Sequence, residues 1–70
     1  MEVKNRLKSI RHQHEMNQKQ FADLLNIAYN QYNRYEKQQD QPSLLTVLKL
    51  AQKLSLPVEQ IVYLNDDPGE

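Results

Sequence analysis

Residues 17–36 read NQKQFADLL, then NIA, then YNQYNRYE, and this stretch decides the fold. Asn17 is a favoured helix N-cap, and Gln20 three residues on completes a capping box, where each side chain meets the other residue's backbone N–H. Met16 before the cap and Phe21 at the fourth helical position fit a hydrophobic staple. Phe21, Leu24 and Leu25 form the stripe to be buried, and Asn26 is a good stop because Asn tolerates the left-handed conformation. After three residues a second helix is expected over 28–36. Its Ala28, Tyr32 and Tyr35 share an inward face, and Tyr29, Asn30, Asn33 and Arg34 share the opposite, polar one.

Further helices flank this pair. A helix over about 3–13 would place Val3, Leu7 and Ile10 on one face and Lys4, Lys8 and Arg11 on the next. Lys37 to Pro42 reads as a loop. Ser43 is the cap of a fourth helix expected to bury Leu44, Val47, Leu48, Ala51 and Leu54. Pro57 is well placed at the start of a fifth, with Val58, Ile61 and Val62 inward, since its missing N–H has no helical partner there. The expectation is an all-α domain of five short helices over residues 1–64 and an acidic, flexible tail over 65–70. No internal repeat is visible.

The chain has 70 residues, with Ile, Leu, Val and Phe at about a quarter of them. That suits one small core with stability of about 3–5 kcal/mol. There is no cysteine, which excludes disulfides, thiolate zinc sites and cysteine nucleophiles. The charged opening MEVKNRLKSIRHQH lacks the apolar core of a signal peptide, and no apolar run is long enough to span a membrane. A cytoplasmic protein is expected. The net charge is zero, but residues 3–63 hold nine bases against five acids, so the compact part is mildly basic. That permits nucleic-acid binding without demanding it.

Enzymatic chemistry has no support in the inventory. There is no Gly-rich phosphate loop and no nucleophile–base spacing. His12 and His14 are two apart, so they point to different sides of a helix and suggest no metal site. His14 reads better as a partly buried edge residue. Neither a cofactor nor a small-molecule ligand is expected.

Two short helices joined by three residues are the sequence form of a helix-turn-helix. With Met16-Asn17-Gln18, Phe21-Ala22, Leu24-Leu25, Ile27, Tyr32, Arg34-Tyr35-Glu36, Pro42-Ser43-Leu44, the run to Leu54 and Val58 to Val62, the chain resembles the phage-repressor-type (Cro/XRE) helix-turn-helix family. The resemblance covers about residues 4–63. It implies a lambda-repressor-like DNA-binding domain in which the third helix enters the major groove and the start of the second grips phosphate. The residue matching Gln18 commonly touches phosphate in that family. Several positions depart from the family pattern. Asn26 and Ser55 stand where Gly is usual, Ala28 where Ser or Thr caps, and Gln38-Gln39-Asp40 where Gly and basic residues are common. The resemblance therefore implies a modest binder or one that needs a dimer.

The residue types agree with that expectation. Asn30 and Asn33 have the amide geometry for bidentate contact with adenine, and Arg34 suits guanine or phosphate. Tyr29 could pack on a thymine methyl or bond a phosphate. Asn17 and Gln18 sit where helix N–H groups favour an anion. Gln31 lies at the margin of the buried face. The candidate DNA-contacting set is Asn17, Gln18, Tyr29, Asn30, Gln31, Asn33, Arg34 and Lys37, with duplex DNA as partner. The alternative for the outward residues is a plain solvated helix face; Tyr32 and Tyr35 read as core and not as stacking platforms, and Lys4, Lys8 and Arg11 as a solvated stripe from which Arg11 could reach DNA. Two functions stay open: a transcriptional regulator, expected to be a repressor acting as a homodimer through Val58, Ile61, Val62, Tyr63 and Leu64, or an antitoxin-like protein-interaction module with weak DNA binding.

Overall fold

The computed structural model describes residues 1–66. Strand β1 (Glu2–Asn5) leads into α1 (Leu7–Gln13), α2 (Gln18–Leu25), α3 (Tyr29–Glu36) and α4 (Leu44–Leu54). A single 3-10 turn at Val58–Gln60 then leads into β2 (Val62–Asn65). β1 and β2 pair antiparallel, with Val3 opposite Leu64 and Lys4 opposite Tyr63. The described residues thus hold four α-helices and a two-stranded sheet, where five helices and no strand were expected. Asp67 to Glu70, most of the expected tail, lie outside the described residues, and β2 runs through Asn65.

Both corrections have local causes. The Val3, Leu7, Ile10 spacing fits a helix, but Arg6 leaves helical geometry at φ −110°, ψ 23°. Asn5 also starts α1 from outside, its Oδ1 accepting the Leu7 N–H at 3.1 Å. Val3 ends on the sheet and is exposed. At the other end, Val62-Tyr63-Leu64 is a β-branched and aromatic run that favours an extended chain. One 3-10 turn replaces the fifth helix. Of its three expected inward residues, Ile61 is fully buried and Val58 and Val62 are half-buried. The Arg6 N–H donates to the Ile61 carbonyl at 2.8 Å and continues the sheet's ladder into the core.

The capped helix pair forms as its sequence requires. Asn17 Oδ1 accepts from the Gln20 N–H at 2.8 Å, and the Asn17 N–H donates to Gln20 Oε1 at 3.0 Å. Phe21, Ala22 and Leu25 are buried, with Leu24 and Met16 packed at the edge. Tyr32 meets Phe21 edge-on at 5.8 Å between centroids, and His14, expected to be partly buried, is exposed, its ring tilted to that of Phe21 at 5.4 Å. Ala28 begins α3 with no side-chain cap. Ser43 caps α4 by accepting the Thr46 N–H.

The buried stripe of α4 is the expected one in part. Val47 and Leu50 face the core, with Ala51 and Leu54 beside them. Leu44 is 72% exposed and Leu48 48%. Apolar residues crowd this helix on more than one face, so spacing alone admits two stripes.

Each helix ends on a left-handed residue that is not glycine: Glu15, Asn26, Gln38 and Ser55. In the turn that follows, the N–H of Met16, Ile27, Gln39 and Leu56 reaches back to the carbonyl five residues earlier, as in a Schellman cap. Such a backbone costs about 1 kcal/mol for a residue with a Cβ. At Gln38 the bend has a use. Its Nε2 donates to the Asn5 carbonyl and its Oε1 accepts the Asn5 N–H, both at 3.0 Å. The carboxamide therefore stands in for a neighbouring strand on the outer edge of β1. Asn5, buried, also donates Nδ2 to the Tyr35 carbonyl at 2.7 Å and to Gln41 Oε1 at 2.9 Å. The end of α3 is thereby tied to the sheet.

Candidate nucleic-acid interface

The helix pair presents the start of α2 beside the outward face of α3, and a buried ion pair holds the two together. Arg11 of α1 donates Nε and Nη2 to the two carboxylate oxygens of Glu36, at 2.6 and 3.2 Å. Their side chains are 12% and 3% exposed. Arg11 Nη1 also donates to the Met16 carbonyl at 3.1 Å. Tyr32, inward on α3 one turn before Glu36, donates its hydroxyl to the same carboxylate. Arg11 is therefore a core-facing ion-pair partner and not part of a solvated stripe, and Lys4 lies on β1 instead of beside it on a helix.

Burial by itself pushes the Glu36 carboxyl up, but hydrogen bonds from Arg11, Tyr32 and Gln18 outweigh it and hold it below the usual carboxylate range. The Arg11 guanidinium is raised in turn, chiefly by its bond to Glu36. The Tyr32 hydroxyl is pushed far up, first by burial and then by the carboxylate it serves. A charge so enclosed is tolerable only because every polar atom around it is matched. Among the described residues no buried side-chain nitrogen or oxygen lacks a partner.

Three candidate contact residues join this centre. Gln18, the first residue of α2, donates Nε2 to Glu36 Oε1 at 3.0 Å and to Asn33 Oδ1 at 3.4 Å. Its Oε1 accepts the Tyr29 hydroxyl at 3.3 Å. Gln18, Tyr29 and Asn33 thus form one hydrogen-bonded group across the two helices. A second group forms on the other side of α3. Arg34 Nε donates to Asp40 Oδ2 at 2.8 Å, and Gln31 Nε2 reaches the same oxygen at 3.3 Å. The Arg34 bond, with Gln31 behind it, holds Asp40 below its ordinary value, and Arg34 is raised by the same bond.

Asn30, Arg34 and Lys37 are exposed and Tyr29 is largely so, while Gln31 and Asn33 are half-buried. Asn17 is exposed, with its carboxamide oxygen taken up by the cap. The face carries two unequal halves: an amide–tyrosine group anchored on a buried anion, and a cation neutralised by an acidic loop residue. Asp40 and Glu36 are the parts that residue-type reasoning missed. Asp40 stood out only as a departure from a basic loop, and Glu36 had as its one signal its place a helical turn after Tyr32. No group of three His, Asp or Glu among the described residues could hold a metal ion.

Comparison with known proteins agrees with the helix-turn-helix. A helix-turn-helix family model matches residues 7–61, from the start of α1 through the buried Ile61. The chain is also similar to an uncharacterized HTH-type transcriptional regulator, YobD, of Bacillus subtilis (strain 168), with 33% identity over 63 residues. That match takes in 90% of this chain and 56% of the relative, so the chain spans little more than half the relative's length. With most of its length matched and a capped helix pair packed around a buried ion pair, the chain belongs to the XRE-type helix-turn-helix family.

Proposed function

We propose that this chain is a sequence-specific duplex-DNA-binding transcriptional regulator of the cytoplasm, acting as a repressor and as a homodimer. Its third helix, α3, enters the major groove, where each base pair presents a distinct donor and acceptor pattern. The observation that carries this is the outward face of α3. Tyr29, Asn30 and Arg34 of α3 and Lys37 at its end stand exposed, and Tyr29 reaches Gln18 at the start of α2, where the first N–H groups of a helix suit a phosphate. The helix-turn-helix family and the description of the Bacillus relative as a transcriptional regulator support the same function.

A single domain offers one recognition helix and few cations, so two half-sites about 34 Å apart would supply affinity. The dimer surface proposed is the exposed apolar part of the sheet, Leu64 with Val3 across from it. Ile61 is fully buried and drops out of the surface expected from sequence. A Leu64→Asp variant should then sediment as a monomer; a dimer as tight as the parent's would rule this surface out.

The test of the function is selection of bound duplexes from a random pool, with the parent protein and a variant carrying Asn30→Ala and Arg34→Ala. The parent should recover a two-fold-symmetric motif and the variant should lose it while keeping its helical circular dichroism. A variant that selects the same motif would mean that α3 is not the recognition helix.

One observation favours a second function, a protein-interaction module. The Arg34–Asp40 pair removes positive charge from the face. Salt separates the two, because a DNA complex loses affinity with a slope set by its phosphate contacts.

A further inference from the structure

Between the α2–α3 turn and α4 lies an open cavity of about 400 Å³, within the range that small-ligand sites enclose. Its floor is apolar, made by Leu25, Ile27 and Leu50, and its rim carries Lys49 and Lys53. No Asp or Glu among the described residues lines it. Two groups at this cavity are unmatched within the chain. Lys49 and Lys53 are exposed one helical turn apart, on a helix with no acid. Like charges at that spacing disfavour the helix, and neither lysine joins an ion pair among the described residues. The second group is the Tyr35 hydroxyl. Tyr35 is 8% exposed. Its carbonyl is bonded by Asn5 and Gln38, but its hydroxyl has no partner among the described residues. No buried side-chain oxygen there is left unmatched, so this hydroxyl is not sealed in and opens into the cavity that Tyr35 lines. Burial and the nearby Asp40 push the hydroxyl up from its ordinary value, so at neutral pH it is a hydrogen-bond donor. Asp40 itself is taken up by Arg34 and Gln31.

We propose that this cavity is a binding site for a small organic carboxylate with an apolar body, the carboxylate held by Lys49, Lys53 and the Tyr35 hydroxyl and the body resting on Leu25, Ile27 and Leu50. A bare inorganic anion would leave the apolar floor uncovered, and an amine would meet two like charges. The residues come from a turn and two helices that no sequence spacing connects, so the site departs from the sequence-based expectation that no small molecule binds. Tyr35 is on the inward face of α3, so an occupant touches the proposed recognition helix from behind. The inference does not depend on the DNA-binding function proposed above.

The test is a titration of the isotope-labelled full chain, followed by the chemical shifts of its amides. The probes are phenylacetate and hexanoate, with phenethylamine and hexylamine as cations of matched shape. Both carboxylates should shift the Ile27, Thr46 and Lys49 amides saturably, with a Kd of about 1 mM for probes this small, and the amines should not. Tyr35→Phe, which keeps the ring, should weaken binding by about tenfold. Lys49→Gln combined with Lys53→Gln should weaken it by about fivefold or more. Thermal melting checks that each variant is folded. No saturable shift at these amides from either carboxylate, shifts confined to another surface, or equal binding of the amines would each overturn the inference. So would undiminished affinity in either folded variant.

Discussion

Replacing Arg11 with Met keeps most of the side chain's volume and removes its charge. The Glu36 carboxylate, 3% exposed, would keep its bonds from Tyr32 and Gln18 but have no cation. Breaking a buried pair from one side typically costs about 3–5 kcal/mol. A domain of this size holds only about 3–5 kcal/mol in all, so the variant should be largely unfolded in plain buffer. Stability is best followed by circular dichroism during urea unfolding, with a stabilising osmolyte added to keep both proteins measurable. The pH dependence is the sharper part. In the parent, Glu36 sits below its unfolded value, so its contribution is present at neutral pH and lost as pH falls through the folded value. Without Arg11, its hydrogen bond and its charge no longer hold the carboxyl down, so the folded value rises from the parent's. The variant's fold then loses less than the parent's as Glu36 takes up a proton. The stability gap should therefore be widest near neutral pH and close by about 1 kcal/mol or more towards pH 4. An Arg11→Met protein within about 1 kcal/mol of the parent at neutral pH, or a gap that does not narrow in acid, would refute the assignment of Glu36 as a buried, ionised hub.

Glu15→Gly and Ser55→Gly should each stabilise the fold by about 1 kcal/mol, since both positions are left-handed and glycine relieves the Cβ penalty; urea midpoints give the answer. Asn17→Ala removes the side-chain half of the capping box, the acceptor of the Gln20 N–H, and should cost about 1 kcal/mol, read by the same assay. Asn5→Ala strips the Tyr35 carbonyl, Gln41 and the Leu7 N–H of a shared partner. A loss of about 2–3 kcal/mol is expected, with hydrogen exchange speeding up at the C-terminal turn of α3.

The helix-turn-helix was legible because its signals are local. Asn17 and Gln20 are three residues apart, Asn26 stops the helix they start, and Ser43 opens α4 within its own first turn. The sheet was not legible for the opposite reason. Glu2 pairs with Asn65 across almost the whole chain, and two four-residue strands show too little alternation to declare themselves. Val3 fits a helical spacing with Leu7, and only the backbone at Arg6 breaks it. In α4 the surplus of leucines made two stripes plausible; the core took Val47, Ala51 and Leu54 as expected, but Leu50 instead of Leu44 and Leu48. For the site, residue types marked the outward face, but orientation came from Arg11 meeting Glu36 over 25 positions. No spacing rule connects those two.

The most direct test of the central claim compares affinity for a selected duplex with that for a scrambled duplex of equal length and salt, for the parent and for the Asn30→Ala, Arg34→Ala variant. Two lost base contacts of about 1–3 kcal/mol each should lower the parent's preference by about 30-fold or more, while weak, salt-sensitive binding to both duplexes persists. Equal affinity of the parent for the two duplexes, or an undiminished preference in the variant, would contradict recognition of DNA by α3.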